Sequence, residues 1–453
     1  MRLIFLPLVT AVLLLGCDSP HRRPPTDVGP DVDIQGDDQD RVDDIDLQDV
    51  PDSDVSDGWP PRNDCTQTPI NGINVGQNNY FFSVPFTRPS NYISLTESGI
   101  ILFDQGRCSD VVNGINAWFQ DIYSYSLFQR EEEELVIFPA PQTYPHEYHG
   151  KVYFSSSYVD YHVNPNGNPW EGNPNIWVWD RGLIENYSTW CPPETGCTDQ
   201  KISKSGKMIY FQYEPNASPL LVQIMFHDLE TLETREVFRY TDSPITFAIG
   251  DRAIFWNYGP CGSFRYYDIE RDEIVENTDY QTFVAIAWGK YLAWSNCSPL
   301  QEMVLNVETG EYRNLDEELN QNPETRNYSI HTGYENLVAF VDRAREVPEP
   351  GQAAHLWIYD LDTRTERRIT SEAAKWTWGG FDIINCTWAI VALDYGKNGT
   401  LVNQYPRSAL NLQEAGILDA NCHVIPGPPV EFTLEEFILA SGFTLEGYNP
   451  LYD

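Results

Sequence analysis

From about residue 90 onward, apolar and polar positions recur in one order. An apolar strand is followed by a short turn, a second strand, a loop of variable length, and an aromatic-rich strand ending in Asp or Asn. A polar turn and one more strand complete the unit. The innermost strands are expected at 92–99, 143–150, 199–206, 243–250, 281–289, 327–335 and 377–384. Second strands follow as IILFD, VYFSS, MIYFQY, AIFWNY, YLAWSN, LVAFVD and WAIVAL. Third strands are read in NAWFQD ending at Asp121, IWVWD at Asp180, and the segments through Asp228, Asp268, Asn306, Asp360 and Asn411, about 40–60 residues apart. Alternation along these strands suits half-buried sheet surfaces, and a repeat of this length with four short strands predicts the blades of a β-propeller. The fold is therefore expected to be all-β, with seven four-stranded blades, or six if the first unit is not a blade. Tyr80–Phe86 is expected to join the ring closure, because open ends leave sheet edges exposed. Thr433 is placed to cap a short helix, LEEFILASG, that Gly442 stops.

The chain before the repeats is an address and a spacer. Leu3–Leu15 is a 13-residue apolar run behind Arg2, too short to span a bilayer and suited to a signal peptide. Leu14-Leu15-Gly16-Cys17 resembles the bacterial lipobox, which implies cleavage before Cys17 and acylation of its sulfur. Residues 18–58 hold 14 Asp, no Glu, three Arg and no aromatic residue. Such a segment buries too little apolar area to offset its ordering entropy and self-repels, so a disordered tether is expected. The expected layout is a signal peptide at 1–16, lipidated Cys17 with an acidic linker to 58, an N-terminal arm with the closing strand at 59–91, the propeller at 92–425, and a tail with a short helix at 426–453. The implied location is the bacterial envelope, at the outer membrane or cell surface. Asp18 leaves the inner membrane open, since enteric bacteria read Asp there as a retention signal.

The net charge is −38 over 453 residues, and residues 59–453 keep −28 of it. Phosphate neutralisation needs a basic surface, so nucleic-acid binding is excluded. No cofactor motif, P-loop or dinucleotide fingerprint occurs. A hydrolase domain with a G-x-S-x-G elbow is also missing. The blade pattern resembles TolB-type propellers and, more distantly, WD-repeat propellers. LWIYDLDTRTERRIT, residues 356–370, is the best match, and it is similar to a TolB-type strand–turn–strand. Only Trp179-Asp180 supplies the Trp-Asp pair of WD repeats.

Nine cysteines, less Cys17, leave eight in a chain that exits the cytosol, which favours disulfides. Cys191 and Cys197 bracket a short Pro- and Gly-containing loop. Cys261 and Cys297 stand at equivalent places in consecutive repeats, so a staple between blades is expected. Cys65 with Cys108 would tie the arm to the first blade. Cys386 with Cys422 remains by elimination and is awkward, because second and fourth strands of a blade are not neighbours. No C-x₂-C occurs, and no metal site is expected.

His146, His149 and His331 fall on expected inner strands and therefore line the channel, where propeller-based oligogalacturonate lyases place a metal. Asp180, Asp228, Asp268 and Asp360 share one place in each repeat, which points to turn caps rather than a carboxylate dyad. The surface expected to bind is the rim formed by the loops between second and third strands. Variable polar loops with aromatics on a rigid scaffold suit recognition. The candidates are Tyr158, Asp160, Tyr161 and Trp170 in the longest loop, with Tyr258, Arg343, Arg345 and Tyr395 in others. Two functions are in view. One is a non-catalytic module binding an envelope protein or glycan; the other is a polysaccharide-acting enzyme with its site at the channel mouth.

Overall fold

The computed structural model describes most of residues 72–446; residues 1–71 and 447–453 lie outside the described residues, as do 85–92, 157–173, 215–220, 241–245, 320–327, 343–353, 402–405 and several shorter stretches. Within them the chain is an all-β propeller. β1 (Asn74–Val75) and β2 (Asn78–Ser83) form a hairpin. β3 (Ile93–Leu95) and β4 (Ile100–Gln105) begin the first four-stranded sheet. A separate hairpin, β5 (Ser109–Val112) and β6 (Ile115–Trp118), intervenes before β7 (Asp121–Ser126) and β8 (Glu131–Val136) complete that sheet. The second sheet comprises β9 (Gln142–Tyr148), β10 (Lys151–Ser156), β11 (Asn175–Asp180) and β12 (Leu183–Asn186). The third comprises β13 (Gly196–Ile202), β14 (Lys207–Glu214), β15 (Leu221–Asp228) and β16 (Thr234–Tyr240).

β17 (Thr246–Ile249), β18 (Ala253–Asn257), β19 (Gly262–Asp268), β20 (Glu273–Trp288), β21 (Tyr291–Cys297), β22 (Leu300–Asn306) and β23 (Glu311–Asn314) form one continuous seven-stranded sheet. β20 is its hinge: residues 273–282 pair with β19 and residues 282–288 with β21. One strand thus closes the first half and opens the second. After a one-turn helix α1 (Leu315–Glu318), β24 (Tyr328–Tyr334), β25 (Leu337–Asp342), β26 (His355–Asp360) and β27 (Thr365–Arg368) make another four-stranded sheet. β28 (Trp376–Ile384), β29 (Trp388–Leu393), a small hairpin β30 (Gly396–Lys397) and β31 (Thr400–Leu401), and β32 (Arg407–Asn411) follow. The last sheet is β28-β29-β32-β2-β1, so the N-terminal hairpin supplies its outer strands, with Phe81 opposite Leu410 and Phe82 opposite Ala409. Inner strands touch in sequence, β3 to β9, β13, β17, β20, β24 and β28, and β28 returns to β3. The ring is closed.

Two sequence expectations need correction. Seven, or six, separate four-stranded blades are not what forms. Five discrete blades stand among the described residues, four of four strands and one of five, and the rest is the seven-stranded sheet joined through β20. The chain stays extended from Glu273 to Trp288 despite the register jump at Asn277–Gln281, so no turn parts the two halves. Second, NAWFQD is not a third strand. It is the inserted hairpin, and the third strand of that sheet starts at Asp121 and pairs with β4.

The core lies between sheets, built from the strand faces the alternation marks. Trp256 and Trp294 are almost wholly buried, as are Tyr123, Tyr125 and Phe103. The C-terminal segment is part of this core. Thr433 caps helix α2 (Leu434–Ala440) through a capping box with Glu436. Phe432 and Phe437 pack their rings on Phe81 at 5.1 and 5.8 Å, covering the closing strand.

Candidate functional site

Turns between first and second strands and between third and fourth strands share one end of the ring, the turn face; the other connections share the loop face. On the turn face Asp228, Asp268 and Asp360 act as caps, whereas Asp180 makes ion pairs with Lys151 and Arg181 instead. Asp228 Oδ1 accepts from the backbone N–H groups of Glu230 and Thr231 at 2.9 and 3.3 Å. Asp268 and Asp360 accept likewise from the second and third residues beyond them, as does Asn306. A partner the sequence reading missed completes the unit: a cation or amide at the head of the second strand. Lys207 pairs with Asp228 at 2.5 Å, Arg252 with Asp268 at 3.1 Å, Lys151 with Asp180 at 3.2 Å, and Asn336 donates to Asp360 at 2.7 Å. These carboxylates belong to separate sheets and form no catalytic dyad. The signal was present as a Lys, Arg or Asn at the head of β10, β14, β18 and β25.

The turn-face mouth of the channel is bridged. Lys204, from the β13–β14 turn, pairs with Glu335 at 2.6 Å and Glu97 at 3.3 Å, and Tyr334 donates to Glu97. These turns come from sheets that are not neighbours, so the contacts cross the opening. Beside it lies a groove of about 280 Å³, lined by Asp251, Arg252, Glu270, Lys290, Glu308 and Glu335 among others. Its cations are already paired within it, Arg252 with Glu270 and Lys290 with Glu308.

Inside the channel, two adjoining inner strands deviate in the same way. On β9, Tyr144 and Pro145 oppose one residue of β10, because Thr143 pairs with Ser155 and His146 with Tyr153. On β13, Asp199 and Gln200 oppose one residue of β14. Each bulge starts with a left-handed non-glycine residue, Tyr144 at φ 59° and Asp199 at φ 55°. Such backbone costs of order 1–3 kcal/mol and persists only where neighbours over-determine it. They do so here. Gln200 Nε2 donates to the Tyr144 carbonyl at 2.6 Å, Ser94 to the Pro145 carbonyl at 2.8 Å, and Ser155 to Gln200 Oε1.

The bulges bring His146 and Lys201, each the first residue past its bulge, into the channel wall. Lys201 Nζ donates to the Phe247 carbonyl at 2.9 Å and lies 4.3 Å from the Phe247 ring centre. Burial lowers its pKa to about 8. Burial also lowers His146 to about 4, with the Lys201 charge adding to the effect. Asp199 is raised by burial, while a hydrogen bond from Tyr144 and the Lys201 charge oppose the rise.

Of the histidines expected to line the channel, His146 does so. His149 does not: it sits exposed in the β9–β10 turn at φ 51°, its ring 4.1 Å from that of Tyr148. His331 lies at the irregularity of β24. No group of three metal-ligating side chains assembles among the described residues.

Three disulfides form: Cys191–Cys197, Cys261–Cys297 and Cys386–Cys422. The third is possible because β2, not the C-terminal segment, provides the fourth strand. Residues 412–424 are then free to fold under the ring and meet Cys386 in the β28–β29 turn. Cys65 and Cys108 lie outside the described residues, as do Cys17 and all the rim candidates: Tyr158, Asp160, Tyr161, Trp170, Tyr258, Arg343, Arg345 and Tyr395. The first two disulfides lie on the loop face.

No family model matches the chain, and no curated protein does. Among solved structures, an oligogalacturonate lyase in complex with manganese is similar over 79% of this chain and 98% of its own, at 10% identity and a TM-score of 0.45. An acylaminoacyl peptidase from Pyrococcus horikoshii is similar over 68% of this chain and 49% of its own, at 10% identity and a TM-score of 0.46. TolB from Acinetobacter baumannii is similar over 70% of this chain and 78% of its own, at 11% identity and a TM-score of 0.31.

Proposed function

We propose that this protein is a lipid-anchored propeller of the bacterial envelope that binds an envelope protein or glycan through its loop-face rim. The observation that carries the reading is where the staples fall. Cys191–Cys197 closes the connection between β12 and β13, and Cys261–Cys297 ties together the roots of two loops leaving β18 and β21. Both hold the loop face, the end that bears the long connection between β10 and β11. Fixing loop roots before binding reduces the ordering cost at the moment of association. The acidic body favours a partner surface carrying positive charge, by steering and complementarity. A second reading, an enzyme acting on polysaccharide at the channel mouth, draws on the buried group of Tyr144, His146, Asp199 and Lys201.

Cross-linking of the full-length protein in native envelopes, with mapping of the linked peptides, tests the rim reading. Partner links are expected in the 157–173 and 343–353 loops. Links confined to the outer blade strands, or to the turn face, would contradict it.

A further inference from the structure

We propose that the channel holds a small oxyanion, a carboxylate or an inorganic anion such as phosphate, between Lys201 and His146. Lys201 stands in the wall of a strongly acidic body, yet no ion pair holds it among the described residues. Its ammonium donates to one backbone carbonyl and leans on one aromatic face. An ammonium has three protons to donate, so two directions are left for a ligand. Next to it, His146 Nε2 is buried and finds no hydrogen-bond partner. Buried polar groups are ordinarily satisfied, and each exception calls for an explanation. Lys201 is short of an acceptor, and His146 beside it, on the neighbouring strand, offers an unpartnered Nε2–H once it is protonated.

The backbone supports the same conclusion. Both strands carry a strained bulge at the equivalent place, and the residues past the bulges are these two. The nearby carboxylate, Asp199, accepts from the Tyr144 hydroxyl, and its charge acts on Lys201 without an ion pair forming between them among the described residues. A bound oxyanion would accept from Lys201 and, once His146 takes a proton, from Nε2 as well. Such charge-assisted bonds are about twice as strong as neutral ones. The site is distinct from the rim: its occupancy is read at His146 and Lys201 and not by partner capture, so either proposal can fail alone.

The test uses the full-length protein and two readouts. Histidine Cε1–H resonances are followed against pH with sodium acetate, with sodium phosphate, and with sodium chloride at equal ionic strength. The His146 midpoint, about 4 without ligand, is expected to rise by about one unit in acetate or phosphate and not in chloride. His227, also buried but with both ring nitrogens bonded, serves as the internal control and stays put. Lys201→Met should abolish the shift. Should that variant fail to fold, the wild-type protein still decides: acylation of Lys201 near pH 8 should slow several-fold in acetate or phosphate relative to chloride. Acetate protecting alone assigns a carboxylate, and phosphate protecting alone an inorganic oxyanion. An unmoved His146 with unprotected Lys201, or equal effects in chloride, would overturn the proposal, as would a shift that survives in Lys201→Met.

Discussion

Arg367 shows how single side chains fasten the C-terminal segment. Its guanidinium is buried and donates to the carbonyls of Pro428 at 2.7 Å, Ile425 at 3.0 Å and Gly416. Gly427 leaves room for it, since a Cβ there would meet the guanidinium at 3.2 Å. Arg367→Met removes the donor and strands three carbonyls, so a loss of about 3 kcal/mol is expected in urea denaturation. Arg367→Lys should recover little of that, because one ammonium cannot reproduce the planar fork. The buried histidines give a pH signature. His146 and His227 are both lowered by burial from 6.5 to about 4. The unfolded chain therefore takes up their protons first, and stability falls as pH drops from about 6.5 toward 4. His423 works in the opposite sense. Its bond to Asp360, at 2.9 Å, raises it, so its contribution is complete below pH 6.5 and is lost as pH rises through its folded value. Unfolding measured at pH 7 and pH 4.5 should show a net loss at the lower pH, and His227→Gln should reduce it by on the order of 2 kcal/mol. The turn caps at Asp228, Asp268 and Asp360 were legible in the sequence, because position in the repeat carries their role. Tyr144, Asp199 and Lys201 were not: a bulge is a mismatch between two strands, and neither strand shows it alone.

At the scale of elements, inner and second strands were readable because an apolar run, a tight turn and another apolar run leave few alternatives. Two failures have physical causes. NAWFQD has the apolar alternation of a third strand, yet it pairs with Ser109–Val112 in a hairpin of its own. Only the pairing of β4 with β7 reveals the insertion. The sixteen residues of β20 are interrupted only by the register jump at Asn277–Gln281 and a second shift near Thr282, and the Asn-Thr-Asp there reads as a turn between blades although the strand runs on through it. Within that sheet, Cys261–Cys297 ties β21 to the loop before β19 across a separation of 36 residues. A double Cys261→Ser and Cys297→Ser variant is expected to lose about 3 kcal/mol, chiefly through greater freedom of the unfolded chain. Denaturant titration should show a lower midpoint with an unchanged slope. Closure depends on β2 in the same way. Phe82 is buried with its ring 5.7 Å from that of Trp388, and Arg130 holds the hairpin by donating to Gly72 O and Asn79 O. Phe82→Ala should cost about 3–5 kcal/mol by leaving a cavity at the seam.

At the scale of the whole molecule, a closed ring carries disulfide staples on its loop face, and a lipid anchor and acidic tether are proposed to precede it. The proposed anchor rests on Leu14-Leu15-Gly16-Cys17: mass spectrometry of the mature N-terminus should find acylated Cys17, and Cys17→Ala should release soluble protein. The turn face is bridged and capped by its own side chains, which supports the proposal that recognition takes place at the loop face. The most direct test compares Trp177 with Trp170. Trp177 lies in β11, largely buried, its indole N–H donating to Ser156 O at 3.3 Å. Trp170, proposed to lie on the binding rim, falls outside the described residues and precedes β11 in the sequence. With wild-type, Trp170→Ala and Trp177→Ala proteins, capture of the cross-linked envelope partner and melting temperature are measured side by side. Trp170→Ala should keep the melting temperature and weaken capture by about 2 kcal/mol or more, whereas Trp177→Ala should lower stability by about 3–5 kcal/mol. Undiminished capture by a folded Trp170→Ala protein would contradict the central claim.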